Sequence, residues 1–209
     1  MFARMLVHEN AGVAGYSEAF MYGQSGKQAS IGSSYLITDV LDHVLGSDPF
    51  VWSLGDEMKI RDMTIKDCDK VSEIEHATFS MPWSRDNFEG SILQENYCLL
   101  VAVSDEDEED ILGYCCFYYV LDEAEIPNVC VREDCRGQGI AFTMMKELMA
   151  RARALEVNDM YLEVRKSNTP ARGLYRKLGF KDVGLRKGFY ELPKEDAVIM
   201  RCNLSEPEN

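Results

Sequence analysis

Hydrophobic and polar positions follow regular periods from Met58 onward, and these periods predict where strands and helices lie. Apolar runs and two-residue alternation predict strands at 59–63, 97–103, 111–120, 125–131, 159–165, 180–190 and 196–203. A spacing of 3.6 residues predicts helices at 65–79, 84–94, 138–155 and 170–178. The second and third strands predict an antiparallel hairpin. The whole pattern predicts a mixed α/β sheet with helices on its faces.

Three of these helices carry local signals that support them. Ser84 opens the second helix as a cap. For the short fourth helix, Thr169 is the expected N-cap, Pro170 the first helical residue and Gly179 the residue after its end. In the long helix at 138–155 the methionines follow the apolar stripe, so they predict core packing and not a cofactor motif.

Residues 1–57 differ from the rest of the chain in composition and in hydrophobic periodicity. They contain Gly, Ser, Ala and Tyr with little periodicity until the stretch SSYLITDVLDHVLG, which predicts one helix that ends at Gly46. Since one helix does not make a domain, the break near Gly55 predicts an N-terminal extension at 1–57 and a domain at 58–209. The alternative is that Met58 begins the native protein and the extension comes from an upstream start.

The charge of the chain narrows the choice of partners. Its formal net charge is −14, and 28% of its residues are charged. Nonspecific nucleic-acid binding requires clustered Lys and Arg, so a cationic partner fits better. No apolar run approaches the roughly 18 residues needed to span a bilayer, and no basic stretch followed by an apolar segment opens the chain. We expect a cytoplasmic protein with no membrane or nucleic-acid partner.

Cysteine and histidine spacing argues against a metal site. The seven cysteines contain no C-x-x-C pair, and the three histidines lie far apart in the sequence. Buried, reduced thiols and no bound metal are therefore predicted. The acidic run DEDEED at 105–110 lies between two apolar runs, and a solvated hairpin tip is favoured over a substrate-binding role.

A glycine-rich corner at 136–139 stands between a strand-like run and a helix-like run. Helix N-termini present unpaired N–H groups and a partial positive charge, so glycine there lets a phosphate approach the main chain. The corner lacks the third glycine of a dinucleotide-binding fingerprint and the Lys-Ser/Thr of a P-loop. On its own, it is equally consistent with an anion site and with a tight turn.

Neighbouring stretches add a resemblance to a known family. The sequence CRGQGIA resembles the coenzyme-A pyrophosphate loop (Q/R-x-x-G-x-G/A) of the GNAT acetyltransferase superfamily, with Arg136, Gly139 and Ala141 at its fixed positions. Four more stretches resemble the bacterial ribosomal-protein-alanine N-acetyltransferases of the RimI type: MPWS (81–84), VLDEAEIPNVCV (120–131), YLEVRKSNTPARGLYRKLGF (161–180) and FYELPKEDAVIM (189–200). The extension has no counterpart in this group, and Phe189 stands where the group often has the first of two tyrosines.

This resemblance implies the GNAT fold, in which a mixed and mostly antiparallel sheet has a splayed parallel strand pair and helices on both faces. It implies acetyl-CoA as the acetyl donor. The residues implied to bind it are Val129, Cys130, Val131, Arg136, Gly137, Gln138, Gly139, Ile140, Ala141 and Asn168. The first three would act through main-chain groups alone, and Asn168 has helix capping as an alternative role.

The resemblance also implies two catalytic residues. Glu163 matches the general base of the group; without the resemblance, its residue type and strand position would favour a solvated glutamate, and with it the base is favoured. Tyr175 matches the acid that protonates the departing thiolate, with plain packing as the alternative. Cys130 and Cys135 suggest an acyl-cysteine route, but no histidine lies close in sequence to activate either, so direct transfer is favoured.

On the acceptor side, Asp122, Glu123 and Tyr190 are the predicted substrate-binding residues. Glu125 is grouped with the two acids at the predicted entry, and on charge alone all three are equally consistent with solvated turn acids. The implied substrate is the N-terminal alanine of a small-subunit ribosomal protein. Two alternatives stay open: a GNAT acetyltransferase of a small amine, and a non-catalytic coenzyme-A-binding module. Retention of Glu163 and Tyr175 argues against the second alternative.

Overall fold

The computed structural model describes residues 58–205. The helix predicted within 33–46 and the domain boundary near Gly55 lie outside the described residues. Within the described range, seven strands occur: β1 (Met58–Asp62), β2 (Tyr97–Ser104), β3 (Ile111–Val120), β4 (Glu123–Val131), β5 (Asp159–Arg165), β6 (Lys181–Glu191) and β7 (Lys194–Asn203). The α-helices of this range are α1 (Cys68–Thr78), α2 (Arg85–Ile92), α3 (Ile140–Ala154) and α4 (Thr169–Lys177).

The strands form one sheet in the order β1-β2-β3-β4-β5-β7-β6. Every neighbouring pair is antiparallel except β4 and β5, which run parallel. The predicted hairpin of β2 and β3 is present. The prediction of a mixed, mostly antiparallel sheet with one parallel pair is confirmed, and the predicted elements match the observed ones to within a few residues.

Helices pack on both faces of the sheet, as predicted. Successive residues of a strand point to opposite faces, and β3 shows the consequence. Cys115 and Phe117 join a core cluster with residues of α3 and α4, whereas Tyr114 and Cys116 join a second cluster with residues of α1 and α2. The sheet therefore separates an α3–α4 face from an α1–α2 face.

The observed N-caps confirm the prediction for α2 and correct the prediction for α4. The Ser84 side chain accepts a hydrogen bond from the Asn87 N–H, which confirms the predicted cap of α2. At α4 the prediction of Thr169 as N-cap is wrong: Asn168 Oδ1 accepts from the Ala171 N–H at 3.2 Å. The helix begins one residue earlier than predicted because the side-chain amide oxygen of Asn168 accepts the hydrogen bond of a free main-chain N–H in the first turn. Pro170 is therefore the second helical residue and not the first.

The acidic run at 105–110 lies at the tip of the β2–β3 hairpin, and its four central residues are exposed. Its two ends bind cations from neighbouring elements. Asp105 pairs with Lys59 at 3.4 Å, and Asp110 pairs with Arg132 at 2.6 Å. Exposed pairs of this kind contribute little stability, at most about 1 kcal/mol each, so the run acts mainly as a solvated tip.

All seven cysteines lie in the described range, and all are free thiols, six of them buried. Burial agrees with their predicted role as small core residues. Among the helices that the structure describes, none is long and apolar enough to cross a membrane.

Candidate active site

The parallel pair β4–β5 opens part of the way along its length. Pairing covers four residues of each strand, from Glu123 opposite Asp159 to Ile126 opposite Leu162. Pro127 follows at once and has no N–H to donate, so it cannot continue the ladder. Beyond it, β4 pairs with β3 alone, and main-chain groups on its other edge face a gap, called the splay below.

A cavity of about 1340 Å³ includes this free part of β4 in its wall. Three segments meet around it: the end of β4, the glycine corner with the start of α3, and α4 with the residue before it. All ten residues predicted to bind acetyl-CoA line this one cavity: Val129, Cys130, Val131, Arg136, Gly137, Gln138, Gly139, Ile140, Ala141 and Asn168. Tyr175 lines it as well.

The glycine corner exposes main-chain donors to the cavity. Gly137 and Gly139 have φ angles of 80° and 82°, a left-handed conformation that only glycine adopts without strain. The first intrahelical hydrogen bond of α3 runs from the Thr143 N–H to the Gly139 carbonyl at 3.1 Å. The N–H groups of the first three helical residues therefore have no carbonyl of their own helix to bind, and their dipoles favour an anion.

Arg136 fixes the corner to the rest of the cavity wall. Its Nε donates to the Val131 carbonyl at 3.1 Å, and its Nη2 donates to Thr78 Oγ1 at 3.4 Å. The side chain thus links the corner to the end of β4 and to the end of α1. Its exposed guanidinium adds positive charge to the wall, as does Lys177.

Tyr175 is buried, with 8% of its surface exposed, and its ring packs against Phe180 at a centroid distance of 6.0 Å. The packing role and the position at the cavity therefore coexist. Burial raises the pKa of the Tyr175 hydroxyl well above its usual range. The hydroxyl is protonated at neutral pH and can donate a proton or a hydrogen bond into the cavity.

Glu163 lies on the other face of the sheet. Its strand neighbours Leu162 and Val164 pack in the cluster of α3 and α4, so Glu163 points toward the α1–α2 face. Its Oε1 accepts from Arg186 Nη1 at 2.7 Å. Burial raises the pKa of the Glu163 carboxyl, Arg186 partly offsets this, and the charge of Glu125 raises it further.

Tyr190, predicted to bind substrate, lies close to Glu163. Its hydroxyl donates to the Glu163 carbonyl at 3.3 Å. The Arg165 guanidinium lies 4.1 Å from its ring centroid and also donates to the carbonyls of Leu192 and Pro193. Arg165 therefore holds the β6–β7 turn and Tyr190 together beside β5. Burial is the main reason that the pKa of Tyr190 rises to about 12.

Asp122 and Glu123 lie at the far end of the parallel pair. The Asp122 carbonyl accepts from the Asn158 N–H at 2.8 Å, and Glu123 is opposite Asp159, four residues before Glu163. That is roughly 13 Å along an extended strand. The structure therefore brings neither acid to the cavity or to Glu163. The nearby acid is Glu125, whose carboxylate accepts a hydrogen bond from the Tyr118 hydroxyl.

Sequence reasoning missed a buried glutamate that joins three elements. Glu75 of α1 is only 2% exposed. It accepts hydrogen bonds from the Trp83 N–H at 3.0 Å, from Asn128 Nδ2 at 3.2 Å and from the Tyr114 hydroxyl. Burial raises the pKa of its carboxyl to about 7. A signal existed in the sequence, because Glu75 follows the buried Val71 by four residues and thus lies on the apolar stripe of its helix.

Asn128 makes Glu75 relevant to the site. It precedes the three β4 residues that line the cavity, and it lies where β4 has lost its β5 partner. Its side-chain bond to Glu75 supports this segment from the α1–α2 face. Glu75 therefore helps to position the main chain of β4 at the splay.

Comparison with known proteins agrees with this geometry. The model of the Acetyltransferase (GNAT) family matches residues 68–180. A protein of Bacillus subtilis (strain 168), named as a candidate ribosomal protein bS18-alanine N-acetyltransferase, is 35% identical over 147 residues, which are 70% of this chain and 96% of that protein. The ribosomal protein bS18-alanine N-acetyltransferase of Haemophilus influenzae is 33% identical over 141 residues, 66% of this chain and 93% of that protein.

Among solved structures, the ribosomal-protein-S18-alanine N-acetyltransferase from Escherichia coli is similar with a TM-score of 0.65 and 27% identity. The similarity covers 73% of this chain and 97% of that chain. The family resemblance of the glycine corner and its neighbouring stretches is thus confirmed, and the chain belongs to the GNAT family of acetyltransferases, with the ribosomal-protein-alanine N-acetyltransferases of the RimI type among its relatives.

Proposed function

We propose that this protein transfers the acetyl group of acetyl-CoA directly to the N-terminal α-amine of a protein, most specifically the N-terminal alanine of a small-subunit ribosomal protein. One observation carries the proposal: all ten predicted cofactor residues and Tyr175 line one cavity, while Glu163 lies across the sheet at the same parallel strand pair. The activities named for the relatives support the choice of substrate.

The donor side of the site uses main-chain groups. The free N–H groups at the start of α3, with Arg136 beside them, bind the pyrophosphate of acetyl-CoA. The unpaired edge of β4 at Val129–Val131 binds the pantetheine arm, and an N–H there stabilises the negative charge that develops on the acetyl oxygen. The side chains of Val129–Val131 need no reactive group for this role, because the main chain makes the contacts.

On the acceptor side Glu163 serves as the base. An α-amine has a pKa of about 8, so it is largely protonated at neutral pH and must lose a proton before it attacks. A carboxyl whose pKa is raised by burial accepts that proton more readily than an exposed glutamate. Tyr190 and Glu125 flank the amine, whereas contact of Asp122 and Glu123 with the substrate stays a prediction for which the geometry offers no support.

Tyr175 protonates the departing thiolate from its place in the cavity wall. A tyrosine hydroxyl has a pKa of about 10 or higher, so it carries its proton at neutral pH when the thiolate forms. An acyl-cysteine route is disfavoured because burial raises the pKa of the Cys130 thiol. The thiol is therefore protonated at neutral pH and is a poor nucleophile.

The charge of the domain suits a basic partner. From Met58 onward the chain has 20 Lys and Arg against 29 Asp and Glu, a balance of −9. Ribosomal proteins are typically basic, so long-range attraction speeds their encounter at low salt. We also propose that residues 58–209 form the whole catalytic domain and that residues 1–57 are an extension outside it.

A pair of peptides tests this function. The protein is incubated with acetyl-CoA and a basic peptide that begins with alanine, or with the same peptide blocked at its α-amine but retaining its lysines. We expect acetylation of the free peptide alone, measured by mass spectrometry. Equal labelling of both peptides would contradict the proposal and indicate a lysine acetyltransferase. Labelling of neither, with turnover on a small amine, would favour the small-amine alternative.

A further inference from the structure

The proposed base already has a cationic partner in the protein itself. We propose that Arg186 is a resident counter-ion that occupies Glu163 in the free enzyme and gives up that place to the ammonium group of the substrate. The proposal rests on the proposed function for the identity of the incoming cation, an α-ammonium. It adds a specificity-determining residue on β6.

The geometry of the pair is asymmetric. Arg186 Nη1 lies 2.7 Å from Glu163 Oε1. The Glu163 side chain is 20% exposed, whereas that of Arg186 is 50% exposed. The carboxylate therefore belongs to the protein interior, and the guanidinium reaches it from the solvent side. An incoming ammonium group reaches Glu163 from the direction that Arg186 now occupies.

The strand that carries Arg186 is suited to its release. β6 is the edge of the sheet, with β7 as its single neighbour strand in the described fold. Arg186 pairs with Ala197, after which the register is irregular until Tyr190, and Gly188 has a φ of 60°. The Gly188 N–H donates to Asp196 Oδ1 at 2.8 Å, which fixes the main chain of this irregular segment. Displacement therefore requires rotation of the Arg186 side chain only.

A second contact can hold the Arg186 side chain after its displacement from Glu163. The Arg186 guanidinium lies 4.6 Å from the ring centroid of Phe189, within the range of a cation–π contact. This contact does not depend on Glu163. The phenylalanine that replaces the usual tyrosine of the group thus has a role, because its face holds the guanidinium once the carboxylate is lost.

The charges around Glu163 favour an exchange of one cation for another. The titratable groups that act on it are Arg186 and Tyr190 of β6, Glu125 of β4 and Tyr118 of β3. Glu163 is therefore acted on by one guanidinium and one neighbouring carboxylate. Removing the arginine without a replacement would leave the partly buried Glu163 carboxylate beside the like charge of Glu125 and without its ion-pair partner, which is costly. Replacement by an ammonium keeps one cation in place throughout.

Arg186→Gln tests the exchange, with Lys187→Gln as the matched control. Lys187 is the next residue on the same strand and is exposed, and no ion pair is found for it among the described residues. Both variants remove one positive charge. Binding of two peptides to the full chain is measured by calorimetry in the presence of coenzyme A: the alanine-starting peptide with a free α-amine, and its N-acetylated form.

We expect Arg186→Gln to tighten binding of the free-amine peptide by up to about fivefold and to leave the acetylated peptide unchanged, because an exposed ion pair no longer has to be broken. Lys187→Gln should bind both peptides as the wild type does. In the protein without peptide, the carbon-13 signal of the Glu163 carboxyl, assigned by its loss in Glu163→Gln, should titrate at higher pH in Arg186→Gln than in the wild type.

Other results would overturn the exchange. Weaker or unchanged binding of the free-amine peptide by Arg186→Gln would show that Arg186 does not compete with the substrate for Glu163. Equal tightening for both peptides would show that Arg186 acts only through its overall charge. An unchanged Glu163 titration would show that the pair does not hold in solution. Failure of the wild type to acetylate any α-amine would refute the proposed function separately, while the titration still decides whether Arg186 occupies Glu163.

Discussion

Two glutamates of this protein show how surroundings give one residue type two roles. Burial raises the pKa of both Glu75 and Glu163. Glu75 is 2% exposed and accepts hydrogen bonds from three donors, which belong to β3, to β4 and to the loop between α1 and α2, so it can hold these segments together. Glu163 has a single exchangeable partner, Arg186, and lies at the edge of the splay, so it can exchange protons.

The first residue-scale prediction concerns Glu163→Gln. General bases contribute about a hundredfold to ten-thousandfold, so we expect kcat to fall by that factor near neutral pH. The loss should be greatest at low pH, where the amine is protonated, and should shrink above the amine pKa of about 8, where solvent has already removed the proton. Steady-state rates from pH 6 to 9 measure it, with Glu191→Gln, an exposed carboxylate of β6, as the control. Wild-type rates across this range would exclude Glu163 as the base.

The second concerns stability and Glu75. Its pKa is about 7 in the folded protein against a usual value of 4.5. The unfolded chain releases this proton at lower pH than the folded chain does, so the contribution of Glu75 to the free energy of unfolding falls as pH rises from about 4.5 to about 7. The fall amounts to about 3 kcal/mol, since one pKa unit corresponds to about 1.4 kcal/mol.

Glu75→Gln removes the titrating group and should remove this pH dependence. Denaturant unfolding at pH 5 and pH 8 should show the variant gaining stability relative to the wild type at the higher pH. Glu73→Gln, an exposed position on the same helix, is the control and should follow the wild type. Parallel stability profiles for Glu75→Gln and the wild type would mean that Glu75 titrates normally.

At the scale of elements, two helix N-termini meet at the cavity. The starts of α3 and α4 both line it, and each presents main-chain N–H groups there. One of those groups is already used, because the Ala171 N–H donates to Asn168 Oδ1. The corner before α3 has no such side-chain cap, and its N–H groups are available for a ligand. This difference favours α3 over α4 as the proposed anion site.

Gly139→Val tests that assignment. Valine at a φ of 82° is strained, so the corner must rearrange and withdraw donors from the cavity. Hydrogen bonds to charged groups contribute about 1.5–3 kcal/mol, so we expect the KM for acetyl-CoA to rise about ten- to a hundredfold. Circular dichroism checks that the variant folds, and Gly90→Ala in α2, where an added Cβ meets nothing within 4 Å, is the control. Unchanged cofactor affinity in a folded variant would contradict the anion site.

At the scale of the molecule, the described sheet begins at Met58. That residue opens β1, lies opposite Ser104 of β2, and packs against the larger core cluster. The cavity, Glu163, Tyr175 and Arg186 all come from later positions. The described core clusters and all residues of the candidate site therefore lie within the proposed domain.

A chain that begins at Met58 should consequently be folded and active. We expect its kcat/KM for the alanine-starting peptide to lie within about twofold of the full chain, because a domain with its own core folds independently. The measurement is a side-by-side kinetic comparison of the two chains, with thermal unfolding as the check on folding. A folded but inactive short chain would show that residues 1–57 contribute to the site.

The sequence by itself determined the local features of this protein. Strand and helix positions follow from hydrophobic periodicity, which depends only on neighbouring residues. The corner at 136–139 was recognisable because a left-handed main chain at a helix start requires glycine, and the predicted cofactor residues were located by motifs that are contiguous in the chain. Glu75 also had a local signal in the sequence, because it is an acid on the apolar stripe of its helix.

Only the tertiary structure decided which distant residues meet. Glu75 reaches partners 39 and 53 positions away, and Arg186 reaches Glu163 across 23 positions. Such pairs depend on strand order and register, which local periodicity does not encode. Strand pairing likewise places Asp122 and Glu123 at the start of β4, opposite the start of β5, and each residue of an extended strand adds about 3.3 Å to their separation from Glu163. The splay combines both levels: Pro127 ends the β4–β5 ladder for a local reason, whereas the four-residue extent of that ladder depends on the register of the two strands together.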